Sequence, residues 1–235
     1  MAESSSVLDT LLQLGDSALI ASQRLCERFG QAPTLAQDQQ WLSIGMELLE
    51  QSRQWLEYAA ELLNDGRDAD QLAFLRDARQ FHNLVILEQP HSNPLQAGLC
   101  HWLYDGWHQA RLSTLQLSPL PLLAITARRA LPQVRAHWQH ANQWLLDASA
   151  QDRPGLQHAL DQLWPLCQGV PPDNPDTDDK GIDRSWRMPL KAALTRAGLA
   201  PPRLAPASQS RDHAHLQAVL QPLQGVARTA PHHRW

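Results

Sequence analysis

Apolar or small side chains recur at intervals of four and three through most of the first 168 residues. That spacing leaves little choice of fold. In the first segment the stripe runs Leu8, Leu12, Gly15, Leu19, Ser22, Cys26 and Phe29. In the second it runs Trp41, Ile44, Leu48, Ser52, Trp55, Ala59 and Leu62. Each stripe is one face of a long α-helix. Gly30 and Pro33 end the first helix, and Asn64-Asp65-Gly66 closes the second. A third helix is predicted over about 70–88, with Phe74, Ala78, Phe81 and Val85 on one face and Pro90 and Pro94 marking its end. A fourth, over about 95–117, carries Leu99, Trp102, Gly106, Ala110, Ser113 and Leu117 and is broken by Pro119 and Pro121. The fifth spans about 121–148 through Leu123, Thr126, Val134, Ala141 and Trp144, and Pro132 inside it should kink or split it. Pro154 suits the first turn of a sixth helix over about 153–168, which buries Leu156, Leu160 and Leu163. Long helices with short connections and no convincing strand alternation predict an all-α antiparallel helical bundle.

The composition changes after Gly169. The next dozen residues hold three Pro and four Asp, with almost nothing apolar. The reading is therefore a bundle over residues 1–168, a linker over 169–182, and a C-terminal extension over 183–235. Short helices are expected in the extension at about 183–197 and 211–224, with an irregular stretch between them and a tail over the last ten residues.

A chain of 235 residues buries enough surface to need no staple. Its three cysteines, Cys26, Cys100 and Cys167, are far apart and form no Cys-x-x-Cys. That fits a cytoplasmic, reducing environment and argues against structural zinc. The start of the chain lacks the basic region of a signal peptide. No apolar run approaches the ~20 residues that cross a bilayer. The net charge is −4 with no basic stripe, so neither a membrane nor nucleic acid is an expected partner.

Bundles with this helix pattern often hold two metal ions with two lone Glu and two Glu-x-x-His pairs. Here only seven Glu occur, and none follows Glu88. The one Glu-x-x-His is Glu88 to His91, and it contains Pro90. Glu47 and Glu50 are well spaced, but the residue three beyond Glu50 is Arg53. The ligand inventory for a di-iron site is incomplete. His101, Asp105 and His108 lie four and three apart on one helical face. They allow either a mononuclear metal site, completed from His137 or His140, or a set of hydrogen-bonded polar residues beside Trp102 and Trp107. No Gly-x-Ser-x-Gly and no phosphate loop occurs.

The third helix mixes Arg76, Asp77, Arg79, Gln80, Asn83 and Glu88 with a strongly apolar set. Arg–carboxylate pairs can fill inward positions of a metal-free bundle. Here the chain resembles the structural-subunit (PaaC-type) family of multicomponent 1,2-phenylacetyl-CoA epoxidases. The resemblance is carried by Leu14-Gly15-Asp16 with Leu19 and Ser22-Gln23-Arg24-Leu25, Gly30 with Ala32-Pro33, and Ile44-Gly45 with Leu48-Leu49. It continues through Tyr58-Ala59-Ala60-Glu61-Leu62, Leu72-Ala73-Phe74, Arg76-Asp77, Arg79-Gln80-Phe81, Glu88-Gln89-Pro90, and Asp105 with Trp107-His108. It is dense over residues 10–110, thinner to 168 and faint beyond.

The resemblance implies a ferritin-like bundle that has lost the metal ligands of a related catalytic subunit. Asp16, Arg76, Asp77, Arg79, Gln80, Glu88, Asp105 and His108 would be signature residues of the fold. The chain itself would hold no cofactor. Di-iron would sit in the partner subunit, and NADPH, flavin and iron–sulfur in a separate reductase. The assembly would epoxidise the ring of phenylacetyl-CoA, a substrate that would meet this chain at a shared interface. The family often carries a lysine-rich turn before a His-Leu pair. Here that stretch is Ala207-Ser208-Gln209-Ser210-Arg211, so Arg203 or Arg211 would have to supply the charge for CoA phosphates. Trp41, Trp55, Tyr58 and Trp107 are the candidate anchors of the partner interface, since aromatics are enriched at interface centres. The alternatives are a standalone metal-dependent oxygenase using His101, Asp105 and His108, or a helical scaffold that serves another partner.

Overall fold

A computed structural model describes residues 2–32, 34–91, 93–148, 150–169, 180–201 and 213–230. All regular structure among them is helical. The long helices are α1 (Ala2–Cys26), α2 (Leu35–Leu63), α4 (Pro94–Leu115) and α5 (Pro121–Leu146). Shorter ones are α3 (Ala69–Phe74), α6 (Arg153–Leu163), α7 (Lys180–Arg196) and α8 (Ala214–Thr229). Two antiparallel pairs of long helices are the inventory of a ferritin-like all-α fold. The chain divides into two compact units, residues 1–90 with 210–235, and residues 91–209.

In the first unit α1 and α2 run antiparallel, and the small residues of the two stripes set how closely they approach. Ser22 Oγ donates to Gly45 O at 2.7 Å, and Ser52 Oγ donates to Gly15 O at 2.8 Å. A Cβ on Gly15 would stand 2.7 Å from Leu56 Cδ2. Thr34 caps α2 by accepting from Gln37 N at 3.3 Å. The left-handed Asn64, at φ 48°, ends it.

The predicted third helix over 70–88 is not one helix. It is α3, a bend, and two short 3-10 turns at Ala78–Gln80 and Val85–Glu88. The reason is that side chains take over the hydrogen bonds a helix would make. Arg76 donates to the carbonyls of Leu72 and Gln80. Asp77 N donates to Gln80 Oε1 at 2.9 Å. His82 N donates to Asp16 Oδ2 at 2.8 Å, and Leu84 N to Ser17 Oγ at 3.1 Å. Asp16 and Ser17 belong to α1, so tertiary contacts override the local helical pattern.

In the second unit Asn93 caps α4 by accepting from Gln96 N at 2.9 Å. Helices α4 and α5 are antiparallel. Trp102 Nε1 donates to Asn142 Oδ1 at 2.9 Å, and the Trp102 and Trp138 rings stack at 5.5 Å. At the other end Arg128 donates twice to Gln116 O. Pro132 does not split α5. It lies on the exposed face, as does Arg128 four residues earlier, whose carbonyl loses its helical donor on the solvated side. The two C-terminal helices do not form an extension of their own. Helix α7 packs on α4, with Leu190 against Gly106, while α8 joins the first unit, where Gln224 Nε2 donates to Ala73 O and Arg76 O. The expected linker falls mainly outside the described residues.

Candidate functional site

The first unit holds a buried charge network built on the signature residues. Asp16 is fully buried on α1, and Arg76 is 4% exposed. The Arg76 guanidinium meets both Asp16 oxygens, and it lies 4.4 Å over the Phe81 ring. Burial pushes the Asp16 carboxyl above its ordinary range, and Arg76 and the His82 amide pull back against that shift. Glu88 is also buried and accepts from Asn83 Nδ2 at 3.0 Å. Its own carbonyl and those of Leu87 and Gln89 all accept from Arg24 of α1. Glu88 and Arg24 thus fasten the end of the irregular segment. Glu88 and His91 do not share a helix, because Glu88 closes a 3-10 turn and α4 begins only at Pro94.

The second unit holds the other predicted group. His101, Asp105 and His108 share one face of α4, and Asp105 and His108 are fully buried. His101 Nε2 lies 3.2 Å from Asp105 Oδ2. That is an ion-pair distance, yet neither group has a hydrogen-bond partner among the described residues at those atoms. Burial decides against the ion pair. It drives Asp105 well above the ordinary carboxyl value, which favours the neutral acid. It drives His101 down to about 3, helped by His137, His140, His91 and His108 nearby. His108 is likewise pushed down to about 3 by burial and by His137, and its Nδ1 meets Tyr104 Oη at 3.2 Å. A neutral acid beside a neutral imidazole costs far less in a dry interior than two charges.

Sequence reasoning missed two members of this cluster, Tyr104 and Arg111, and placed His137 only as a possible further ligand. Tyr104 is fully buried, and burial raises its phenol. Arg111 is 2% exposed, and burial lowers its guanidinium to about 9. His137 of α5 is buried opposite them. The signal was present for Arg111, which continues the four- and three-residue spacing of His101, Asp105 and His108 along the same face.

No three His, Cys, Asp or Glu side chains among the described residues are grouped to hold a metal ion. Of the α2 carboxylates, Asp38 is buried but accepts from Gly30 N and Ala32 N, and Glu47 is half-buried. Glu50, Glu57 and Glu61 are exposed, and Arg53 lies 3.6 Å from both Glu50 and Glu57. Helix α5 contains no acid at all. The donor set does not fit a di-metal centre, nor do His101, Asp105 and His108 form a preassembled mononuclear one.

The proposed interface aromatics divide in two. Trp55 and Trp107 are fully buried and belong to the cores of their own units, so they form no surface. Trp41 is half-buried with the Arg28 guanidinium 4.9 Å over its ring, and Tyr58 is also half-buried. The surface of α2 offers a different set, the exposed stripe Leu35, Leu42, Met46 and Leu49. Arg203 and Arg211 lie outside the described residues. Asp77 pairs with Arg228 at 3.1 Å, Gln80 caps Asp77 N, and Arg79 is exposed.

Two long-helix pairs, buried polar groups without a metal-ligand set among the described residues, and six of the eight signature residues in the first unit define an all-α chain of ferritin-like type. A model of the phenylacetic acid catabolic protein family matches residues 1–235, and the chain belongs to that family. It is 32% identical over 244 residues to the C subunit of the 1,2-phenylacetyl-CoA epoxidase of Escherichia coli (strain K12), with 95% of this chain and 97% of the relative covered.

Proposed function

We propose that this chain is the non-catalytic structural subunit of a multicomponent 1,2-phenylacetyl-CoA epoxidase in phenylacetate catabolism. It pairs with a di-iron catalytic subunit and stabilises it. The observation that carries this reading is the state of α2: Glu50, Glu57 and Glu61 are exposed, Glu47 is half-buried, and Arg53 stands between Glu50 and Glu57 where a ligand histidine would be needed. A cation there repels a metal ion, and Glu88, the one buried glutamate among the described residues, is bound to Asn83. Family membership and the named relative support the assignment to the epoxidase.

The chain's contribution is then mechanical and electrostatic. The exposed apolar stripe of α2 suits burial against a partner, with Met46 55% exposed at its centre. Any contact this chain makes with phenylacetyl-CoA would draw on Arg203 or Arg211 for the CoA phosphates. The assembly works in the cytoplasm on this reading. No described helix is long and apolar enough to cross a membrane.

Co-expression with the cognate di-iron catalytic subunit tests the reading. One complex is expected on size exclusion at micromolar concentration, and Met46→Glu should split it. Two separate peaks for the unmodified pair would overturn the proposal.

A further inference from the structure

Arg79 is the one residue of the Arg76–Phe81 turn to which the fold gives no task. Arg76 binds Asp16, Asp77 binds Arg228, Gln80 caps Asp77 N, and Ala78 and Phe81 are buried. Arg79 is exposed, with no hydrogen bond or ion pair among the described residues. It stands at a cleft of about 700 Å³ between this turn and α8. The opposite wall is a polar stripe of α8, Gln217, Gln221, Gln224 and Arg228, spaced four, three and four. Gln224 and Arg228 are committed to the turn, since both donate to Arg76 O. Gln217 and Gln221 are exposed, and their side-chain amides have no partner among the described residues. Leu220 forms the apolar floor, and a Cβ on Gly225 would meet nothing within 4 Å, so the cleft is open there.

The chemistry of this cleft selects its ligand. Asp77 and Arg228 cancel at 3.1 Å, which leaves the charge of Arg79 unbalanced. A guanidinium presents a planar fork that matches a carboxylate in two parallel hydrogen bonds. Glutamine amides both donate and accept, as a peptide backbone requires. Small-molecule pockets of this size are lined mainly by apolar side chains, and this one is not. We infer that the cleft between the Asp77–Gln80 turn and α8 is a docking site for an acidic peptide segment of another protein, with Arg79 taking a carboxylate and Gln217 and Gln221 pairing with the peptide backbone. The inference does not depend on which subunit supplies the segment, so it stands apart from the pairing with a di-iron partner.

The test uses the full chain, ¹⁵N-labelled, titrated with an acetylated hexapeptide bearing three glutamates and with its all-glutamine counterpart. The acidic peptide is expected to bind saturably. Shifts should be confined to residues 77–80 and 217–228 and should include the side-chain amides of Gln217 and Gln221. Arg79→Gln should weaken binding at least tenfold while leaving the melting temperature unchanged, because Arg79 has no structural partner. The all-glutamine peptide should bind the unmodified chain as weakly as the acidic peptide binds the variant. Lack of saturable binding, or equal binding by Arg79→Gln, would overturn the inference. So would inorganic phosphate saturating the same residues more tightly than the peptide, which would make the cleft a small-oxyanion site.

Discussion

The two units face the same difficulty, ionisable groups inside a helix pair, and resolve it in opposite ways. In the first unit Asp16 and Arg76 are buried together and bonded to each other, and further donors and acceptors come from the backbone. In the second unit Asp105 and His108 are buried beside His101 with no guanidinium bonded to the acid, and burial pushes all three toward their neutral forms. The pairing of the first unit is directional, so it can hold an irregular segment in place. It ties residues 76–84 to α1, and through the carbonyls of Ala73 and Arg76 it ties them to α8 as well. The second unit's cluster includes a directional contact, Tyr104 Oη to His108 Nδ1, but that contact lies within α4 itself. The cluster is tolerated because a neutral acid and neutral imidazoles are cheap to bury. The difference teaches that buried polar residues of similar type can be scaffold in one place and a titratable liability in another.

The largest expected effect breaks the first solution. Asp16→Ala leaves a buried guanidinium unpaired and should destabilise the chain by about 3–5 kcal/mol in urea denaturation. The double variant Asp16→Leu, Arg76→Met should recover a good part of that loss, since no charge stays buried. If it recovers nothing, the cost lies in the orphaned His82 amide rather than in the charge. Next in size is a packing contrast between the same two helix pairs. A Cβ at Gly98 would overlap the rigid Trp144 indole, whereas one at Gly15 meets the flexible tip of Leu56. Gly98→Ala should cost about 1–3 kcal/mol, and Gly15→Ala less, by thermal melting. Equal losses would mean that α4 and α5 part as easily as Leu56 turns.

The second solution is broken by pH. His101 and His108 stay neutral in the folded chain down to about 3. In the unfolded chain they bind protons below ~6.5. The unfolded state therefore holds more protons between those values, and stability should fall as pH drops through that window. Asp105 acts with the opposite sign. Its folded value is raised, so it costs stability as pH rises above its unfolded value of ~3.9. Asp105→Asn should thus be at least as stable as the unmodified chain at pH 7, and the advantage should vanish near pH 4. A variant much less stable at pH 7 would mean that Asp105 is an ionised, paired acid. The smallest effect is expected on the surface. Arg53→Ala removes only exposed contacts at 3.6 Å and should change stability by less than about 0.5 kcal/mol.

The long helices were legible because a stripe at four- and three-residue spacing has one reading, and even the small residues within it proved informative. Gly15, Ser22 and Ser52 are where α1 and α2 approach and bond. The segment after Phe74 was not legible. Its apolar spacing reads as helix, but its hydrogen bonds go to Asp16 and Ser17, sixty or more residues away. The same distance hid the role of α8, whose Gln224 and Arg228 look like a solvated face until they meet the carbonyl of Arg76. At the site, the shortage of glutamate was readable from the chain alone. The upward shift of Asp105 was not, because it depends on what surrounds the carboxyl and not on its neighbours in sequence.

The most direct test of the account is iron content. The chain alone would be incubated anaerobically with excess ferrous iron, desalted and analysed, and then compared with its complex with the catalytic subunit. The account predicts less than about a tenth of an equivalent of iron in the chain alone, with the complex carrying iron in proportion to the catalytic subunit. Close to one or two equivalents bound to the chain alone would contradict it.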